Sequence, residues 1–252
     1  MRILITNDDG IHAEGLAVLE RIAAALSDDV TIVAPEYDQS GVAHSLSLND
    51  PLRLREIGPK RFAVKGTPTD CVIMAVNKVM AQKPDLILSG VNRGHNLAED
   101  VTYSGTIAAA MEGTLLGIPS IALSQGYPPG GREMTMWDCA EAHGPGLVRK
   151  ILAEGIPEGI LVNVNFPAVP PDQVKGVAVS VQGRRDQAVL KIEERHDGRH
   201  IPYYWIGFSR GKKPPAPGTD LAAMLEHKIS VTPLRLDLTD EPTVTRYARA
   251  LG

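Results

Sequence analysis

Two adjacent carboxylates, Asp8 and Asp9, stand near the head of the chain in MRILITNDDG. Side by side they repel, which costs free energy unless a cation or a proton neutralises them. An aspartate ahead of a helix is also an ordinary N-cap, and a helical pattern starts at Glu14. The pair alone therefore stays open between a cap and a cation site. Further along stand Ser40 in PEYDQSG and Asn92 and Asn96 in GVNRGHN. Two carboxylates, a hydroxyl and an amide oxygen are hard donors. They suit Mg²⁺ or Mn²⁺, whereas Zn²⁺ would want His and Cys. Ser104-Gly105-Thr106 opens a helix and offers free backbone N–H groups, two hydroxyls and the positive dipole end, a ready anion site. Taken singly, Ser40 reads as a turn serine bonding its own backbone, and Ser104 as a plain cap.

The elements that carry these residues decide between the readings. Arg2–Thr6 holds Ile3, Leu4 and Ile5 in an unbroken apolar run, the pattern of a strand covered on both faces. Residues 14–26 place Leu16, Leu19, Ile22, Ala23 and Leu26 on one face of a helix. Val30–Ala34 is a second buried strand, so the opening strand–helix–strand predicts parallel pairing with a right-handed crossover. Asp85–Ser89 is a third buried strand and Ser120–Ser124 a fourth. The first three run straight into polar, glycine-bearing loops. In an open α/β sheet the carboxyl ends of the strands are where ligands bind. Asp8 and Asp9, Ser40, and Asn92 or Asn96 are thus delivered to one edge, and that convergence moves the reading from cap to metal site. A phosphate on Ser104–Thr106 would then lie beside the metal.

Between and beyond these strands the pattern changes. Ser45–Leu48, Leu52–Ile57 and Arg61–Val64 read as short strands of an antiparallel excursion. A helix is expected from Thr67 or Thr69 to about Met80, another from Ser104 to Gly117, and a third from about Thr135 to Ala153. Ile160–Asn165 is a further strand. Val174–Val181, Ala188–Glu194 and Ile201–Phe208 look like long strands of an extended β arm, with a hairpin signal at Asp197-Gly198. The Tyr203-Tyr204-Trp205 cluster on this arm reads as core, a subunit contact or a base-stacking surface, a subunit contact being the commoner fate of a protruding apolar hairpin. Lys212–Pro217 reads as a rigid exposed link. A short helix Leu221–His227, a strand Ile229–Pro233 and a helix Pro242–Leu251 close the chain.

Bulk properties narrow the function classes. The 252 residues are 43% hydrophobic and only 4% aromatic, so aliphatic side chains fill the core. A net charge of −4 leaves no basic surplus for a nucleic-acid polymer or a membrane surface. Two cysteines, Cys71 and Cys139, make no disulfide framework. No apolar run is long enough for a signal segment or a membrane span, so a cytoplasmic location is expected. Neither G-x-G-x-x-G after the first strand nor G-x-x-x-x-G-K-[ST] occurs, which removes the two commonest nucleotide loops.

Taken together, ITNDDGIHAEGL (5–16), VAPEYDQSG (33–41), GTPTDCV (66–72), SGVNRGHN (89–96), YSGTIAAAMEG (103–113) and ISVTPLRLDLT (229–239) resemble the SurE family, the survival-protein-E nucleotidases, from end to end. The resemblance implies an α/β fold: a Rossmann-like, three-layer, mostly parallel sheet flanked by helices, with a protruding β-hairpin arm and C-terminal swapped elements. It implies a single domain over 1–252, divided into a core (1–170), an arm (174–208) and C-terminal oligomerisation elements (218–252). It implies a divalent-metal-dependent 5′-nucleotidase, a phosphomonoesterase acting on nucleoside monophosphates. Some members of the family also take 3′-nucleotides or short polyphosphate. By position, Asp8, Asp9, Ser40 and Asn92 match the family's metal ligands for one Mg²⁺ or Mn²⁺, with Asp8 and Asp9 catalytic. Asn96, Ser104, Gly105 and Thr106 match its phosphate-side motif. A homodimer or homotetramer built through the arm and the C-terminal elements is implied as well.

The attacking group is open at this point between an activated water and Asp8 itself. His12, His44 and His95 stand in or near the edge loops as candidate proton donors to the leaving group. Two other functions remain in play. One is a metal-dependent nucleotide-sugar transferase, which also sets adjacent acids on a metal. The other is a non-catalytic nucleotide-binding or stress assembly protein. A D-x-D phosphatase is excluded, because position 10 is glycine.

Overall fold

A computed structural model describes residues 1–185, 189–209 and 214–252; within the strands, the side chains of 189, 190, 208 and 209 are not described. The core is a nine-stranded sheet. It comprises β1 (Arg2–Thr6), β2 (Asp29–Pro35), β3 (Arg53–Gly58), β4 (Arg61–Lys65), β5 (Leu86–Arg93), β6 (Ser120–Gln125), β7 (Ile160–Phe166), β8 (Val177–Val179) and β11 (Ile229–Arg235). The order is β3-β4-β2-β1-β5-β6-β7-β11-β8. All neighbours run parallel except β3 against β4 and β11 against β7.

The unbroken apolar run of β1 has a direct cause. Side chains alternate across a strand, and both faces of this one are covered. Ile3 and Ile5 pack with Leu16, Leu19 and Ile22 of α1 (Glu14–Ala24) and with Cys139 and Leu147 of α4 (Asp138–Glu154). Leu4 points the other way, to Cys71 and Val72 of α2 (Pro68–Met74) and Ala109 of α3 (Gly105–Leu115). Ile3, Leu4 and Ile5 are fully buried, each contributing about 1.5–3 kcal/mol of burial. The result is three layers: α1 and α4, the sheet, and α2 and α3.

Strand order reverses at β1. The chain leaves it toward β2 on one side and returns through β5 on the other. Doubly wound sheets bind ligands at such a switch point, beyond the carboxyl ends of the strands. Asp8 and Asp9 stand there.

Several expectations change. Ser45–Leu48 forms no strand. Its backbone instead serves α2: Thr67 Oγ1 donates to the Ser45 carbonyl at 2.9 Å, and the Ser47 amide and hydroxyl donate to Asp70 at 3.1 and 2.7 Å. Thr67, not Thr69, is the α2 cap, in a reciprocal capping box with Asp70. β5 does not stop at Ser89 but continues to Arg93, with a register shift between Ser89 and Asn92. Gly90 permits this, because a Cβ there would lie 2.2 Å from the Leu123 carbonyl oxygen. Asn92 therefore stands in a strand end and not in a free loop.

The expected Val174–Val181 strand is reduced to Val177–Val179, paired with β11 on the main sheet. The projecting ribbon is β9 (Val189–His196) and β10 (Pro202–Ser209), which are antiparallel. Its turn is tied by Asp197, whose carboxylate accepts from the Arg199 and Ile201 amides. Tyr203, Tyr204 and Trp205 are exposed on it. Ala188 and Lys212–Lys213 lie outside the described residues. α5 (Asp220–Leu225) and β11 pack within their own chain, whereas α6 (Glu241–Leu251) buries no residue. Among the described residues no helix is long and apolar enough to cross a membrane.

Candidate active site

The Asn7-Asp8-Asp9-Gly10 turn is held by its own backbone and by β2's loop. Asn7 Nδ2 donates to the Gly10 carbonyl at 2.9 Å, and the Gln39 amide donates to the Asp8 carbonyl at 2.8 Å. Gly10 sits at φ +102°, where a Cβ would press on the Tyr37 backbone at 3.3 Å. The turn thus passes directly beneath the Tyr37–Ser40 loop, which fixes the relation between the aspartates and the residues after β2.

The two aspartates have different surroundings. Asp8 is 4% exposed. Its Oδ1 accepts from the Thr106 hydroxyl at 2.6 Å, and its Oδ2 lies against Gly105, where a Cβ would come within 3.1 Å of it. Burial pushes the Asp8 carboxyl up to about 7, the charge of Asp9 adds to this, and the Thr106 bond opposes it. Asp9 is less enclosed. Its Oδ2 accepts from the Arg93 amide at 3.0 Å, and Arg132 approaches its Oδ1 at 3.8 Å. Burial also raises the Asp9 carboxyl, against the Arg93 amide and the two guanidinium groups.

Asp38 is a third acid at this edge, and sequence reasoning gave it no role. Its charge disfavours ionisation of both Asp8 and Asp9, and its Oδ1 accepts from the Ser40 hydroxyl and amide at 2.6 and 2.7 Å. Its position two residues before Ser40 was the signal available. Ser40 thus stands with its hydroxyl oriented by Asp38. Asn92 adjoins Arg93, whose amide meets Asp9, and its Nδ2 donates to the Gly94 carbonyl at 2.9 Å. With its nitrogen so bound, Oδ1 is the atom of that amide left to accept.

Asn96 is buried in a network of amides. Its Nδ2 donates to Ser124 Oγ at 2.9 Å, and its carbonyl accepts from Asn163 and Asn165 at 2.8 and 3.2 Å. Ser104 caps α3 by accepting from the Ile107 amide. Gly105 has no room for a side chain: a Cβ would lie 2.8 Å from Asp8 Cβ. Thr106 spends its hydroxyl proton on Asp8. The structure therefore brings the α3 N-terminus against Asp8, while Asn96 is reached through Ser124 and the β7 asparagines. Of the histidines, Nε2 of His44 pairs with Glu112 at 3.0 Å and Nε2 of His95 meets the Phe166 carbonyl at 3.0 Å. His12 is exposed.

The donor set fits a hard divalent cation. Repelling carboxylates share a partly buried edge where nothing but a proton or a cation balances Asp8. Asn7 Oδ1 is buried beside them without a hydrogen-bond partner among the described residues. Among the described residues no three His, Cys, Asp or Glu side chains form a metal cluster; the neutral oxygens at this edge are those of Ser40 and Asn92. Beside Asp9 opens a cavity of about 360 Å³ lined by Asp9, Asp38, Glu14, Arg93, Arg132 and Glu133, among others.

Comparison with known proteins shows the family. The family model described as "Survival protein SurE" matches residues 3–189. A protein named 5′-nucleotidase SurE from Methylorubrum extorquens (strain PA1) is 68% identical over 251 residues, 99% of both chains. Its namesake from Methylocella silvestris is 66% identical over the full length of both. The crystal structure of the SurE protein from Aquifex aeolicus superposes with a TM-score of 0.85 at 40% identity, covering both chains entirely. With a family match over most of its length and full-length relatives at this identity, the chain belongs to the SurE family.

Proposed function

We propose that the protein is a divalent-metal-dependent 5′-nucleotidase, hydrolysing nucleoside 5′-monophosphates to nucleoside and phosphate. The observation that carries this is the buried Asp8 carboxylate, wedged between Asp9, Asp38 and the N-terminus of α3 at the sheet's switch point. Full-length relatives named 5′-nucleotidase support the same reading.

Asp8, Asp9, Ser40 and Asn92 would hold one Mg²⁺ or Mn²⁺, which when bound supplies positive charge to the transferring phosphoryl group. The chain's own residues do the rest. The N–H groups that open α3 at Ser104–Thr106 face incoming negative charge and orient the phosphate. Thr106 holds Asp8 in one rotamer through Oδ1. Asp38 turns the Ser40 hydroxyl so that its lone pairs face away from Asp38. Asn96 braces the loop through Ser124 and the β7 asparagines. With Asp8 assigned to the metal and its Oδ1 bonded to Thr106, attack falls to water. Hydrolysis of a chiral, isotopically labelled phosphorothioate monoester is expected to invert configuration at phosphorus, as a single displacement by water must. Net retention, the mark of two displacements through an aspartyl-phosphate, overturns this step.

The protein works in the cytoplasm as a homodimer or homotetramer. Its single domain presents the β9–β10 ribbon and α6 as the surfaces for other copies. Exposed Ile192, Ile206, Tyr204 and Trp205 on the ribbon and Val244, Tyr247 and Leu251 on α6 support this.

The test is phosphate release from a panel of nucleoside monophosphates with Mg²⁺, with Mn²⁺ and with EDTA. Metal-dependent release is expected. Binding without release points to a nucleotide-binding assembly protein, and consumption of nucleotide-sugars without release from monophosphates points to a transferase.

A further inference from the structure

The charges at the sheet edge do not balance with a single cation. Asp8, Asp9 and Asp38 carry three formal negative charges, a divalent ion returns two, and a phosphate monoester brings up to two more. Two guanidinium groups line the adjoining cavity, Arg93 and Arg132. Arg93 is already committed. It meets Glu14 at 2.6 Å and Glu133 at 3.8 Å, and its guanidinium lies over the Trp137 ring at 5.6 Å. Glu14 also accepts from Trp137 Nε1 at 3.3 Å, so this group is tied from two sides. Arg132 is different. It is half exposed, and among the described residues its guanidinium approaches one carboxylate, Asp9, at 3.8 Å. That is beyond hydrogen-bond distance. It rides on a single helical turn, Arg132–Met134, entered through Gly130 and Gly131 at φ +128° and +122°.

We propose that Arg132 binds the phosphoryl oxygens of the substrate, serving as the second cationic clamp beside Asp9. The inference rests on the nucleotidase reading and adds a residue to it. A phosphate held at Asp9 through the metal would lie at the edge of the cavity that Asp9 and Arg132 both line. The guanidinium then exchanges a loose contact for charge-assisted, bidentate ones. The cavity's volume lies within the range of small-molecule sites. The nucleoside extends into it past Arg132.

The experiment uses full-length wild type, Arg132→Ala and Arg132→Lys. Three quantities are read: kcat and KM on a nucleoside 5′-monophosphate, the dissociation constant of inorganic phosphate from Mn²⁺-loaded protein by calorimetry, and the Mn²⁺ dissociation constant by EPR without substrate. For Arg132→Ala we expect kcat/KM and phosphate affinity to fall about 10- to 100-fold. Mn²⁺ should bind as tightly or more tightly, since a cation beside Asp9 is gone. Arg132→Lys should recover part of both losses. Phosphate affinity within about twofold of wild type overturns the proposal. So does a fall in Mn²⁺ affinity parallel to the loss of activity, because Arg132 then only shapes the loop around Asp9. A wild type that releases no phosphate overturns the nucleotidase reading instead, and the phosphate-binding comparison still decides the role of Arg132.

Discussion

Asp8 and Asp9 are neighbours in sequence but occupy opposite sides of one site. Asp8 faces inward to α3, where Thr106 and Gly105 close around it. Asp9 faces outward to β5 and the cavity, where a backbone amide and an arginine temper it. Burial raises both carboxyls, but at the outer one it is opposed by a backbone amide and two guanidinium groups. The difference teaches that a repelling pair is kept by dividing the work. One residue is a buried anchor held by Thr106, and the other lines the cavity that opens to solvent. Substitutions on the two sides should therefore fail in different ways.

The largest effect is expected from Asp9→Asn. Metal-dependent phosphate release should drop by about a thousandfold or more, with a thermal midpoint close to wild type, since Asp9 is tempered by partners. Steady-state assays and calorimetry read both. Activity near wild type sinks the assignment of the outer carboxylate.

Asp8→Asn should also remove turnover, but with a stability signature of opposite sense. In metal-free protein the Asp8 carboxyl rises from 3.8 to about 7, so the folded state holds a proton that the unfolded chain releases. Stability from this group is then full below about pH 4 and is lost as pH climbs toward 7, of the order of 4 kcal/mol in all. Melting curves of metal-free protein should show that decline for wild type and lack it in Asp8→Asn. Mn²⁺ added at pH 8 should restore wild type alone. A flat profile in wild type contradicts the inner-anchor description.

Gly105→Ala comes next. A methyl group 2.8 Å from Asp8 Cβ must displace α3 or the aspartate. Overpacking of this kind costs about 1–3 kcal/mol, and activity should fall further than stability alone explains. The smallest effect is expected from Thr106→Val, which removes the hydroxyl on Asp8 Oδ1. The Asp8 carboxyl should rise further, KM should change little, and Thr106→Ser should restore the wild-type profile. Denaturant unfolding should show a loss near 1 kcal/mol.

The fold was legible where side-chain period and burial coincide. β1, residues 32–34 of β2 and residues 121–123 of β6 are apolar because both their faces are covered, and that covering writes itself into sequence. Residues at the strand ends were legible for the same reason: parallel strands share one carboxyl edge. Ser45–Leu48 was not, since Leu46 and Leu48 mimic a half-buried strand, while the segment's hydrogen bonds go to Thr67 and Asp70 far along the chain. β5 was cut short in the sequence reading because Ser89-Gly90 looks like a turn. A glycine passing close under the Leu123 carbonyl has the same composition. Asp38 and Arg132 were missed because their relevance is three-dimensional. One orients a serine two residues on, and the other swings in from a loop beyond β6.

Asp220 has a consequence for how the site is completed. Fully buried, it accepts from the amides of Ala98, Gly183 and Leu221 at 2.8, 2.8 and 2.7 Å. Gln182 returns a bond to the Ala98 carbonyl at 2.9 Å. The stretch between Asn96 and Ser104 is thus anchored by a side chain more than a hundred residues downstream. On the ribosome, β1 and β2 can assemble early, but the anion-facing loop gains its last anchor only when the region around Asp220 has emerged. A growing chain would hold its aspartates in place well before it could hold a phosphate, so catalytic competence should arrive late and all at once.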